Sequence, residues 1–195
     1  HAEGYIVREC CEHPSNFRCQ GKQDDFLREK RVIGIQGLDT RALTRMIREE
    51  GVMNGKICTD ISRLEDILAE VRAYTIKDAV AHVTTGQEED IRPEHPRFKV
   101  ALWDFGAKGN IQRRLCARGC EVVVFPAQST AQQILDLHPD GIMLSNGPGD
   151  PAENTGIIAQ LAELCRQGIP TFGICLGHQL LALSQGARTE KLKYG

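Results

Sequence analysis

The chain has 195 residues, 41% of them apolar, and a formal net charge of -2, which is enough apolar material for the core of one large or two small domains. The near-neutral balance offers no broad basic field for nucleic acid, and no run approaches the roughly 18 apolar residues of a membrane span. No basic stretch followed by an apolar one opens the chain, so no signal peptide is expected and a cytoplasmic location is read from it.

In chain order, the first half carries mixed signals. Cys10, Cys11, His13 and Cys19 form a local cluster, but their spacing fits none of the usual zinc-ligand pairs, so no metal site is expected. The remaining cysteines, Cys58, Cys116, Cys120, Cys165 and Cys175, complete no C-x-x-C framework, and reduced thiols are expected throughout. An apolar run over 32–35 precedes a helix that Asp39 or Thr40 can cap, with Leu43, Met46 and Ile47 on one face and Gly51 at its end. Arg41, Arg45 and Arg48 line another face of that helix, which reads as solvated, with contact to a partner subunit as the alternative. Asn54-Gly55 marks a turn, and Ser62-Arg63-Leu64-Glu65 has the form of a capping box opening a second helix through Ile67, Leu68 and Val71. This half reads as a smaller mixed α+β module. Residues 86–96 are polar, charged and broken by Pro93 and Pro96, as a linker should be, which sets the domain boundary near residue 97: domains 1–97 and 98–195.

Beyond the boundary the period changes. Strands over 99–105, 121–125, 141–145 and 169–174 alternate with helices over 110–117, 130–137, 155–167 and 176–184. Such alternation implies βαβ units and an α/β fold whose parallel sheet is covered on both faces. Ligands of open α/β sheets bind at the carboxyl ends of strands, where both Gly147 to Pro151 and Cys175 fall. The turn Gly106-Ala107-Lys108-Gly109-Asn110 also follows a strand, but it lacks the phosphate-loop spacings and reads as structural.

The last strand meets the last helix at Gly173-Ile174-Cys175-Leu176-Gly177-His178-Gln179. A nucleophile elbow crowds its neighbours, so glycine is needed two residues before and two after the nucleophile, and Gly173 and Gly177 stand there. Cys175 thus occupies the place of a nucleophile, facing helix N–H groups whose partial positive charge favours thiolate. The N–H of Leu176 is the matching donor for charge that develops on a carbonyl oxygen. His178 is the histidine nearest in sequence, but in the first helical turn its side chain should point along the helix, giving it a packing or capping role rather than that of a base.

These words resemble a known family. Phe172-Gly173-Ile174-Cys175-Leu176-Gly177-His178-Gln179 looks like the active-site signature of class I, triad-type glutamine amidotransferases, and Leu144-Ser145-Asn146-Gly147-Pro148-Gly149-Asp150-Pro151 resembles their oxyanion loop. More narrowly, Leu38-Asp39-Thr40-Arg41-Ala42-Leu43-Thr44-Arg45, Trp103-Asp104-Phe105-Gly106-Ala107-Lys108-Gly109-Asn110-Ile111 and Gln179-Leu180-Leu181-Ala182-Leu183 resemble the small, glutamine-hydrolysing subunits of carbamoyl-phosphate synthases. The resemblance runs from about residue 14 over nearly the whole chain.

It implies a C-terminal amidotransferase domain with Cys175 as nucleophile, and glutamine held by Gly147, Gly149, Leu176 and Gln179. It also implies a large partner subunit that carries ATP and Mg and joins the released ammonia to bicarbonate, giving carbamoyl phosphate for arginine and pyrimidine synthesis, with no cofactor in this chain. In the family the base histidine and its orienting glutamate follow well downstream of the elbow. The sequence stops at Gly195, so two of three triad members are expected to be absent and the polypeptide itself inactive. The beginning of the first domain is expected to be missing as well. The alternatives are another class I amidotransferase, serving anthranilate or guanylate synthesis, against which Asp39-Thr40-Arg41 argues, and a non-catalytic docking piece.

Overall fold

The computed structural model of the chain describes residues 3–190 and Leu192, and it divides between Thr75 and Ile76 into two units. In the first, β1 (Gly4–Ile6) pairs in parallel with β2 (Ile33–Ile35), and the connection between them carries α1 (Gln23–Glu29). Next comes α2 (Thr40–Glu50), which starts where the sequence says: the Asp39 carboxylate accepts the N–H groups of Arg41 at 3.1 Å and Ala42 at 3.0 Å, satisfying two donors that a helix start leaves open. It ends at Gly51, whose φ of 97° only glycine adopts without strain. The apolar stripe on α2 is not buried in this unit, for Met46 and Ile47 remain 50% and 42% exposed.

One expected cap does not form. Helix α3 (Leu64–Ala73) has Arg63, not Ser62, at its N-cap, with no side chain bonded there. The Ser62 N–H instead donates to Asp60 Oδ1 at 2.8 Å, a local turn that competes with the helix cap for the same residues.

The second unit opens with α4 (Ala79–Val83) and β3 (Glu89–Ile91). Then β4 (Phe98–Asp104), α5 (Asn110–Cys116), β5 (Cys120–Pro126), α6 (Ala131–Asp136) and β6 (Gly141–Leu144) alternate, followed by a 3-10 turn (Pro151–Glu153), α7 (Thr155–Cys165), β7 (Thr171–Gly173) and α8 (Leu176–Ser184). The strands order as β3-β5-β4-β6-β7, all neighbours parallel except β3 against β5. The first two parallel strands thus lie side by side and the third returns to the other flank of the first. That reversal leaves a crevice outside the carboxyl ends of β4 and β6.

The division of the chain falls earlier than the linker composition suggests. Val80 is buried in the second unit's core, and residues 89–91 are an edge strand on β5 rather than free linker. An edge strand keeps one side in water and so reads as polar. Arg92 covers this edge, paired with the largely buried Glu121, which raises the pKa of its guanidinium, first through that hydrogen bond and then through the charges of Glu121 and Asp90.

Alternate residues of the central strands feed two apolar layers. Trp103, Val123, Phe125, Ile142 and Leu144 pack with Leu161, Leu164, Leu176 and Leu180 of α7 and α8, while Leu102, Val122 and Val124 pack with Ile111 and Leu115 of α5. Covering on both faces explains why these strands read as continuous apolar runs. Among the described residues no helix is long and apolar enough to cross a membrane.

Candidate active site

β7 passes into α8 through Cys175, whose backbone takes φ 52° and ψ -110°. Outside glycine this conformation is rare and costs on the order of 1–3 kcal/mol, so the surroundings must enforce it. They do so with hydrogen bonds on both sides. The Ile174 N–H donates to the Leu144 carbonyl at 3.0 Å, the Gly177 N–H to the carbonyls of Ser145 and Ile174 at 3.0 Å each, and the Gln179 N–H to that of Cys175 at 3.1 Å.

The flanking glycines are required by contact. A Cβ on Gly173 would stand 2.6 Å from both the Gly177 carbonyl carbon and the His178 nitrogen, and one on Gly177 would stand 2.5 Å from the Leu144 carbonyl oxygen. Cys175 itself is exposed, as are Gln179 and His178. Leu176 is buried, and among the described residues its N–H finds no acceptor. The elbow therefore presents an open thiol beside an unengaged backbone donor. His178 is exposed, and among the described residues its imidazole has no hydrogen-bond partner, so no cap of the expected kind is seen.

The loop after β6 lies against the same elbow. A Cβ on Gly147 would collide with the Phe105 carbonyl oxygen and stand 2.7 Å from Leu176 Cδ2, so only glycine lets this backbone approach. Gly149 has φ 88°. Asp150 then accepts the Ala152 N–H at 2.9 Å, capping the 3-10 turn. The structure thus brings Gly147, Leu176 and Cys175 together at one end of the sheet, with Gln179 one helical turn on.

Three residues that the sequence reading quoted only inside longer motifs, with no role of their own, hold this arrangement. Ser145 is fully buried. Its Oγ accepts the Phe105 N–H at 2.8 Å and donates to the Asn146 carbonyl at 2.7 Å, while its own carbonyl takes the Gly177 N–H. Asn146 Nδ2 donates to the Gly106 carbonyl at 3.0 Å, and its Oδ1 accepts the Lys108 N–H at 3.1 Å. The buried carboxylate of Asp104 takes the N–H groups of Gly106 at 2.9 Å and Ala107 at 2.6 Å on one oxygen and that of Thr85 at 2.6 Å on the other. An Asp two residues before a glycine is a local turn signal and could have marked this tip. No comparable signal marks Ser145, whose partners are remote in sequence. The amides of residues 106–108 are thus engaged by the protein's own side chains, as a structural turn requires.

Elsewhere, Arg41, Arg45 and Arg48 stay exposed in the first unit and line, with Thr44, a cavity of about 470 Å³. Among the described residues no three His, Cys, Asp or Glu side chains converge as a metal site would need. The eight cysteines are unpaired. Burial, followed by the neighbouring Cys120 and Asp90, pushes the Cys116 thiol above its usual pKa.

The family model for glutamine amidotransferase class-I matches residues 101–195, and that for the carbamoyl-phosphate synthase small chain, CPSase domain, matches residues 1–57. Curated relatives named carbamoyl phosphate synthase small chain align with nearly all of this chain. The one from Clostridium perfringens is 45% identical over 192 residues, covering 98% of this chain and 54% of its own length. A Bacillus cereus relative is 47% identical over 193 residues, covering 98% and 52%, and a Listeria monocytogenes relative 44% over 196 residues, covering 99% and 53%. The chain spans about half the length of the curated relatives it matches.

Proposed function

Because this chain belongs to the carbamoyl-phosphate synthase small-chain family, with a class-I glutamine amidotransferase segment over residues 101–195, we propose that it supplies the nucleophile with which the whole protein takes ammonia from glutamine. Cys175 Sγ attacks the side-chain amide carbon, and the carbonyl π electrons move onto oxygen. The N–H of Leu176, together with N–H groups of the loop carrying Gly147 and Gly149, receives that oxyanion, and each donor of this kind contributes a few kcal/mol to the barrier reduction because it needs no reorganisation. Gln179 holds the glutamine. The tetrahedral intermediate collapses with loss of ammonia, which takes up a proton as it leaves, and water then cleaves the γ-glutamyl thioester to glutamate and free thiol.

Ammonia is the useful product. On this reading a large partner subunit combines it with bicarbonate at the expense of ATP, with Mg, to form carbamoyl phosphate for arginine and pyrimidine synthesis; the ligase chemistry belongs to that partner.

The observation that carries the reading is the backbone of Cys175. A non-glycine residue is held in a costly conformation at a strand-to-helix turn, with its side chain exposed beside the free Leu176 N–H, and such strain persists where the surroundings enforce it for use. The test is glutamate release from glutamine by the full-length protein with its large subunit, alongside Cys175→Ser. Turnover that the substitution abolishes, with a glutamyl adduct trapped on the Cys175 peptide of the unsubstituted protein, supports the assignment. Undiminished release from Cys175→Ser overturns it.

A further inference from the structure

The glycine loop is braced by a segment that neither family model reaches. Residues 79–85 fall between the matched stretches 1–57 and 101–195, yet they touch both turns that frame the candidate site. A Cβ on Gly149 would stand 3.0 Å from Ala79 Cβ, and one on Gly106 would stand 2.8 Å from Val83 Cγ2 and 3.3 Å from Pro148 Cδ. Gly149 and Gly106 have φ of 88° and 115°, so α4 lies against two bare, left-handed backbones with no side chain between to yield.

The segment is fixed on either side of these contacts. Val80 enters the apolar core beside Phe105 and Ala127. Thr84 Oγ1 donates to the Asp104 carbonyl at 2.6 Å and accepts the Ala127 N–H at 2.9 Å, which ties the segment to the carboxyl ends of both β4 and β5. Thr85 adds its N–H to the Asp104 carboxylate at 2.6 Å, the group that also shapes the Gly106 turn.

We propose that residues 79–85 are a positioning strap for the glycine loop, in which Ala79 sets the place of Gly149 and Thr84 anchors the strap to the strand ends. The proposal rests on the reading of that loop as the cradle of the oxyanion. A displacement of about 1 Å at a positioned catalytic donor costs on the order of 10²-fold in rate. Alanine suits position 79 because any longer side chain presses on the Gly149 backbone, and a hydroxyl is needed at 84 because it donates and accepts at once.

The test uses the full-length protein with its large subunit and the substitutions Ala79→Leu, Thr84→Val and Thr84→Ser, reading glutamate release and amide hydrogen exchange. Ala79→Leu and Thr84→Val should lower kcat about 10- to 100-fold with KM changed less than about threefold, the split expected when an interaction made in the transition state is lost. Exchange at the amides of Gly147, Gly149 and Asp150 should quicken while that of β4 and β6 stays unchanged, and Thr84→Ser should restore both readouts. Unchanged loop exchange in Ala79→Leu overturns the strap, as does loosening spread equally through β4 and β6, which marks a merely structural role. Glutamate release that Cys175→Ser leaves intact defeats the reading of the site instead, and the exchange result still decides the strap.

Discussion

A close backbone contact at the start of α8 makes a quantitative test of the elbow. In Gly177→Ala the new Cβ would lie 2.5 Å from the Leu144 carbonyl oxygen and 2.7 Å from both the Leu144 carbonyl carbon and Cβ, whereas favourable contact begins near 3.5 Å. The start of α8 must therefore withdraw from β6 by about 1 Å. Nothing else can yield, since Leu144 is fully buried and its carbonyl is held by the Ile174 N–H. Withdrawal stretches the 3.0 Å bond from the Gly177 N–H to Ser145 beyond hydrogen-bonding range. Overpacking of this kind costs about 1–3 kcal/mol and the lost bond about 1 kcal/mol more. At roughly 2–8 °C per kcal/mol for domains of this size, Tm should fall by about 10 °C. Gly156→Ala is the matched control: its Cβ meets nothing within 4 Å and it lies inside α7, so that change should stabilise by about 0.5–1 kcal/mol. Thermal denaturation followed by circular dichroism reads both. A Gly177→Ala protein that melts with or above the unsubstituted one refutes the steric account of the turn.

Ser145→Ala removes the acceptor of the Phe105 N–H in a fully buried setting and should cost about 1–3 kcal/mol, read as a lower urea midpoint with unchanged slope. Brief treatment with limiting alkylator should label Cys175 ahead of the other seven thiols by peptide mass mapping, because it is exposed at a helix start beside the unengaged Leu176 N–H. Cys116, whose pKa is raised chiefly by burial, should label only as the pH is taken higher; prior labelling at Cys116 would contradict the elbow.

Signals contained within one turn of chain were legible in the sequence where no competing local bond arose. Asp39 caps α2, and α8 spans Leu176 to Ser184 as its apolar period and the elbow spacing require. Ser62 failed because Asp60, two residues away, offered its N–H another partner. The spacing of Gly173, Cys175 and Gly177 was likewise readable as an elbow pattern: the crowding at Gly173 comes from Gly177 and His178 just downstream, whereas that at Gly177 comes from Leu144 of β6 and shows only in the fold.

The order of the strands, which sets the β4 and β6 ends side by side, was not readable, because parallel strands pair through crossovers whose register no short motif encodes. Nor was the bracing of the loop. Thr84 reaches Asp104 and Ala127 across 20 and 43 residues, and Ser145 reaches Phe105 across 40. By itself the sequence determined the α/β alternation and the turn that carries the thiol; the tertiary structure alone decided which backbones hold that turn in place, because contacts between distant residues leave no periodicity to read.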